Sequence, residues 1–112
     1  MLAKANRIVS AIDYRRLVRS GRKARGSLVL AYGSRSASDA PLRMGVIVAR
    51  SVGNAVVRNR VRRRVKAVGW SLAHDVHGLD VVLRATPRAA EAEFAAIETE
   101  VRRVVRVLQE RA

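Results

Sequence analysis

A chain of 112 residues, 49% of them hydrophobic, has the material for one core and is too short for two independently stable ones, so residues 1–112 read as a single domain. It carries 23 Lys and Arg against 9 Asp and Glu, a formal net charge of +14, with Lys only at positions 4, 23 and 66. Such a chain repels itself unless a polyanion relieves it, and guanidinium forks that pair bidentately with phosphate and stack on bases favour nucleic acid over a lipid surface.

Met1 to Val9 carries Lys4 and Arg7 but no long apolar run, so neither a secretion signal nor an anchor is expected there. Ser10 and Asp13 have capping-box spacing, with Asp for the usual Glu, and predict a short helix over Ala11 to Arg19 closed by Gly21, with Tyr14, Leu17 and Val18 on one side. Arg22 to Arg25 reads as basic and irregular. Leu28 to Tyr32, between Gly26 and Gly33, has strand composition and puts Leu28, Leu30 and Tyr32 on one face. Gly33 to Pro41 reads as a loop and Met44 to Ala49 as a second strand, so the two strands are expected to form an antiparallel hairpin.

After Asn54 the apolar period changes from two to about 3.6, and Val57, Val61, Val65, Val68 and Leu72 fall on one narrow helical stripe. Gly78 interrupts, Val81 to Leu83 is a further strand, and Pro87 ends it. Between Ala89 and Arg111 a last helix is expected, with Phe94, Ile97, Val101, Val104, Val105 and Leu108 on its apolar side and Glu toward its N-terminus. Helices alternating with short strands in this order predict an α+β sandwich of helices on a small sheet.

The segment from Ser51 to Lys66 is the most specific. Six of the nine residues from Arg58 to Lys66 are cationic, and no acidic residue occurs between Asp39 and Asp75. A face made only for solubility interleaves both signs for i,i+4 support; this one lacks the negative partner, which points to an anionic ligand. The valine stripe lets the helix lie on the sheet while Arg58, Arg62, Arg63 and Lys66 face outward. Asn54 is a natural N-cap, and Gly53 before it allows a tight turn from strand to helix.

Gly53-Asn54-Ala55-Val56 followed by Arg58-Asn59-Arg60-Val61-Arg62-Arg63 resembles the signature of the bacterial ribonuclease P protein component. The resemblance extends to Asn6-Arg7, Asp13-Tyr14, Gly21, Tyr32, Arg43-Met44-Gly45-Val46 and Pro87, and so covers practically the whole chain. It implies an α+β two-layer sandwich in αβββαβα order with a small mixed sheet and a left-handed βαβ crossover, against the general right-handed rule. It further implies a cytoplasmic subunit of a heterodimeric ribonucleoprotein. In that family a large RNA is the catalyst, and the protein assists Mg²⁺-dependent endonucleolytic removal of the 5′ leader from precursor tRNA. Carried over residue by residue, Arg50, Asn54, Arg58, Asn59, Arg60, Arg62, Arg63 and Lys66 would contact RNA, while Tyr14, Leu30 and Tyr32 would line the cleft for the leader. Mg²⁺ would be held mainly by the catalytic RNA. Val18 departs from the second phenylalanine common in the first helix, and Arg84 to Thr86 departs from the usual run before the proline. With aromatics at 4%, leader contacts should lean on charge.

Other chemistries fit less well. Without cysteine there is no disulfide, thiolate nucleophile or Cys-based zinc site, and the acids are too scattered for a two-metal nuclease. His74 and His77 read as partners of helix-terminal carbonyls, and Ser34, Ser36 and Ser38 as loop residues. The polypeptide alone is therefore expected to be inactive. A general RNA-binding module of ribosomal or chaperone type shares the composition and differs only in lacking the Gly-Asn and Arg-Asn-Arg spacing. A helix-turn-helix DNA reader would need a partner helix before the basic one, and a membrane-surface helix would need Trp, Phe and Leu in place of the valines. If about six cations neutralise phosphates, log affinity for RNA should fall against log salt with a slope of about −4 to −5. Titration at several salt concentrations checks this, and a slope near zero would refute the charge argument.

Overall fold

The computed structural model describes residues 2–111, with side chains to residue 110. The elements are α1 (Ala11–Ser20), β1 (Arg22–Arg25), β2 (Val29–Arg35), β3 (Arg43–Ile47), α2 (Ala55–Leu72), β4 (Leu79–Ala85) and α3 (Phe94–Arg111). The αβββαβα order is as expected, and the four strands make one mixed sheet in the order β1-β2-β4-β3.

The position of β4 organises the sheet. Six of its seven residues are buried, only Arg84 being exposed, so both of its faces need cover and both of its edges need partners. It therefore lies between β2, with which it pairs antiparallel, and β3, with which it pairs parallel, α2 making the connection. The hairpin expected between β2 and β3 does not form for this reason. The antiparallel hairpin is β1 with β2 instead, and Arg22–Arg25 is an edge strand rather than an irregular segment. Only Ala24 of β1 is buried, and charged residues at an exposed edge deter pairing with other chains. β2 also continues past Gly33, which pairs with Arg22 on one side and Val81 on the other.

Side-chain alternation divides the two faces. Val29, Ala31, Met44, Val81, Leu83 and Ala85 point into the larger cluster with Val61, Val65, Val68 and Leu72 of α2 and Ile97, Val101, Val104, Val105 and Leu108 of α3. Leu30, Ile47, Tyr32 and Val82 point the other way, against Ile8 and against Tyr14, Leu17 and Val18 of α1. Leu28 precedes the strand and packs on the larger cluster, so it does not share a face with Leu30 and Tyr32. The last helix begins at Phe94, since residues 87–90 form a 3-10 turn, and Phe94 is 39% exposed instead of joining the apolar stripe.

Glu100 of α3 holds the β1–β2 turn. Its carboxylate accepts from the backbone N–H groups of Ser27 (3.0 Å), Leu28 (2.6 Å) and Val29 (2.6 Å) and from the Ser27 hydroxyl (3.2 Å). The carboxyl group lies so close over Gly26 that a Cβ there would collide with it. Glu100→Ala should cost about 2 to 3 kcal/mol in urea unfolding, because several N–H groups lose a charged acceptor at once. Gly26→Ala should also destabilise, and in the double variant the two losses should be less than additive, because the clash disappears with the carboxylate.

Candidate nucleic-acid interface

Asn54 caps α2 as its sequence predicts: its Oδ1 accepts from the Val57 N–H at 3.0 Å. The preceding Gly53 has φ 157° and ψ −169°, backbone space open to glycine, and a Cβ there would stand 2.9 Å from Val57 Cγ1. The chain thus leaves β3 through a short 3-10 turn at Arg50–Val52 and enters α2 with its valine stripe already facing the sheet. Val61, Val65, Val68 and Leu72 are buried, and Val57 is partly so.

The cations of α2 form two ranks. Arg60 and Arg64 turn toward the connection before α3, where their terminal N–H groups donate to the carbonyls of Ala90 and Ala92, each at 2.8 Å. Arg58, Arg62, Arg63 and Lys66 make the other rank, with the neutral Asn59 among them. Here Arg62 donates to Asn59 Oδ1 at 2.8 Å, Arg63 is exposed, and Arg58 is half-buried with an enclosed Nε that has no hydrogen-bond partner. Arg50 is exposed in the turn before the helix. Among the described residues no carboxylate pairs with any cation of α2, and the ion pairs belong to Arg16, Arg43 and Arg102. The structure therefore brings together the sequence-predicted residues from Arg50 to Lys66 along one helix and its entry, with Arg60 directed more to the protein than to solvent.

The opposite face of the sheet carries Tyr14, Leu30 and Tyr32. Strand register sets three rows there: Ser34, Asp80 and Arg43; then Lys23, Tyr32, Val82 and Gly45; then Arg25, Leu30, Arg84 and Ile47. Tyr14 reaches from α1 onto Gly45, where a Cβ would lie 2.6 Å from its ring. Tyr32 is 5% exposed and has the Lys23 ammonium 5.9 Å from its ring centroid, so it is a floor residue rather than an open stacking face. Leu30 and Ile47 are half-buried, whereas Arg25 and Arg84 in the same row are exposed. That row is an aliphatic shelf with cations on it.

The first row locks α1 to the sheet. Arg43 donates to Asp80 from Nε (3.0 Å) and a terminal nitrogen (2.8 Å), and Asp80 is 6% exposed. Arg16 lies 3.7 Å from Asp80 and 3.6 Å from Asp13, and Arg43 lies 3.6 Å from Asp13. Asp13 thus serves this network rather than the expected capping box, and Ser10 caps α1 alone by accepting from the Ile12 N–H. Hydrogen bonding to Asp80 raises the Arg43 guanidinium above its already high ordinary pKa, outweighing the opposing effect of desolvation, so this side of the pair stays charged.

Sequence reasoning missed two features beside α2. Leu2 and Arg7, held by the Arg7 Nε–H donating to the Leu2 carbonyl at 3.1 Å, line a depression with Arg63, Lys66 and Ala67. Trp70 is 48% exposed one turn further along. Its spacing from Arg63, i to i+7, was the signal available. Of the two histidines, His74 meets the Trp70 and Ser71 carbonyls (3.0 and 3.3 Å) as predicted, while His77 lies beyond the helix. No described helix is long and apolar enough to cross a membrane.

An α+β sandwich that presents an arginine helix without carboxylate partners among the described residues on one side, and a shelf of aliphatic and cationic residues on the other, belongs with the RNA-binding proteins. The family model described as Ribonuclease P matches residues 2–109. The chain belongs to this family, that of the protein subunit of the RNA-based endoribonuclease that matures tRNA 5′ ends. A ribonuclease P protein component from Clavibacter michiganensis is 46% identical over 78% of this chain and 78% of its own. One from an Arthrobacter species is 44% identical over 93% of this chain and 83% of its own. The fold matches the RNase P protein from Staphylococcus aureus with a TM-score of 0.80 at 23% identity, covering 96% of this chain and 92% of that one.

Asp80→Ala should lower stability by about 2 kcal/mol, because it leaves Arg43 without its bidentate partner. Asp13→Ala, whose ion pairs are longer and partly exposed, should cost under about 1 kcal/mol. Urea unfolding of both variants checks the ranking, and a larger loss for Asp13→Ala would overturn it.

Proposed function

We propose that this protein binds the catalytic RNA of ribonuclease P through the outward rank of α2 and the 5′ leader of precursor tRNA over the shelf beside α1, and so assists removal of the leader. The observation that carries the reading is the set of α2 cations with no carboxylate partner among the described residues. A folded chain of net charge +14 that leaves these guanidinium groups unneutralised has a surface built for phosphate.

Arg50, Arg58, Arg62, Arg63 and Lys66 neutralise backbone phosphates, with Asn54 and Asn59 beside them as hydrogen-bonding groups and Arg60 bracing the helix through Ala90. Such contacts set position and affinity without reading sequence. On the other face, Tyr14 and Leu30 give an apolar surface, Tyr32 supports it from below, and Arg25 and Arg84 meet leader phosphates. Aliphatic contact and charge accept any base, which suits leaders of varied sequence.

The described carboxylates near the leader shelf are engaged with arginines rather than gathered as a donor set for Mg²⁺. Asp13 and Asp80 already share Arg16 and Arg43, and no group of three His, Asp or Glu residues able to hold a metal occurs among the described residues. We therefore assign Mg²⁺ to phosphates of the catalytic RNA. The protein's part is to screen repulsion between two RNA molecules, which lowers the ion concentration at which they associate.

At low Mg²⁺, precursor tRNA should be cleaved only when bacterial ribonuclease P RNA and this protein are both present, and the protein alone should cleave nothing. Arg62, Arg63 and Lys66 replaced together by Ala should abolish the rescue and flatten the salt slope by about 2 to 3. Replacing Arg102, Arg103 and Arg106 of α3 should leave most of it. Tight RNA binding without any effect on cleavage would overturn the proposal in favour of a general RNA-binding module.

A further inference from the structure

Trp70 is the only tryptophan in the chain, and the core does not use it: the side chain is 48% exposed on α2. At i+7 from Arg63 and i+3 from Ala67 it shares their side of the helix. It is also held in place. The His74 ring stands edge-on to the indole, with centroids 5.1 Å apart and planes at 81°. The His74 Nδ1–H in turn donates to the carbonyls of Trp70 (3.0 Å) and Ser71 (3.3 Å), which orients the imidazole at the end of α2.

Toward the N-terminus of α2, the direction in which helical side chains lean, lies the depression of about 400 Å³ lined by Leu2, Arg7, Arg63, Lys66 and Ala67. Leu2 and Ala67 give it an apolar floor, and three cations stand around it. An oriented aromatic face beside an apolar floor with a cationic rim has the chemistry of a nucleotide: a π-face and an apolar edge for the base, positive charge for the phosphate.

We propose that Trp70 and this depression form a docking site for one unpaired nucleotide of the catalytic RNA, the base stacking on the indole and its phosphate held by Arg7, Arg63 and Lys66. The site rests on the reading of α2 as the helix that meets that RNA, and it extends the footprint by about two turns beyond Arg63. Arg63 and Lys66 belong to both surfaces, so an RNA strand that follows the basic rank arrives at Trp70 without crossing an acidic residue. A paired duplex has no free base to offer the indole, so the occupant is a bulged or loop nucleotide.

Because Trp70 is the sole tryptophan, its emission reports on this site alone. Titration with bacterial ribonuclease P RNA should quench and shift it, whereas a fully paired RNA duplex at equal phosphate concentration should bind with little change. Measured by anisotropy of labelled RNA, Trp70→Ala should weaken binding of the catalytic RNA by roughly 10-fold or more, and Trp70→Phe should recover part of the loss. Duplex binding should be the same for all three proteins. Unchanged emission on saturation, or undiminished binding by Trp70→Ala, would overturn the nucleotide site. Equal quenching by the duplex would also overturn it, as would a loss confined to self-association of the protein. If the Arg62, Arg63 and Lys66 replacement bound the catalytic RNA as the parent does, the reading of α2 itself would fall. That result is distinct from a failure at Trp70 alone.

Discussion

The arrangement of the whole molecule depends on a short strand that is buried on both sides. β4 supplies Leu79, Val81, Leu83 and Ala85 to one face of the sheet and Asp80 and Val82 to the other. Such a strand needs a partner at each edge and a layer on each face. β2 and β3 take the edges, α2 and α3 cover one face, and α1 crosses the other. Two layers of unequal extent follow. The paired long helices seal their face, while the single ten-residue α1 leaves the row of Arg25, Leu30, Arg84 and Ile47 half-open.

The two surfaces read here as functional come from that inequality and from the placing of charge. On the closed face, the charge-free stripe of α2 is buried among the core residues, so its cations can only point sideways or outward. Those turned sideways, Arg60 and Arg64, fasten the helix to the connection before α3; the rest meet no carboxylate among the described residues. On the open face the acids do gather, but around Arg16 and Arg43, where they seat α1 on the sheet. Carboxylates thus hold the structure together at one end of α1, at Asp80, and at the β1–β2 turn through Glu100. The positive charge left over on α2 ranges from the half-buried Arg58, Arg62 and Lys66 to the exposed Arg63.

What was legible in the sequence follows the strength of each local pattern. The start of α2, its cap at Asn54 and its apolar stripe were all readable, because cap chemistry and a 3.6-residue period act over a few neighbours. The short strand Arg22–Arg25 was not, because nothing in Arg-Lys-Ala-Arg prefers a strand until β2 offers it an edge. Tyr32 read as an aromatic for the leader cleft, yet α1 and Lys23 cover most of it, a matter settled by packing from distant parts of the chain.

By itself the sequence determined that the protein is basic, that its helices are amphipathic with one strongly cationic, and which residues form the signature of its family. These are properties of composition and of neighbours within one or two turns, where chain connectivity enforces proximity. Only the tertiary structure decided that β4 would separate β2 from β3, that Asp80 would meet Arg43 and Glu100 would grip Gly26's turn, and that Trp70 would be left in solvent beside Arg63. Each of these joins or excludes residues far apart in the chain, and their pairing depends on which apolar surfaces are buried first, a choice that no local pattern encodes.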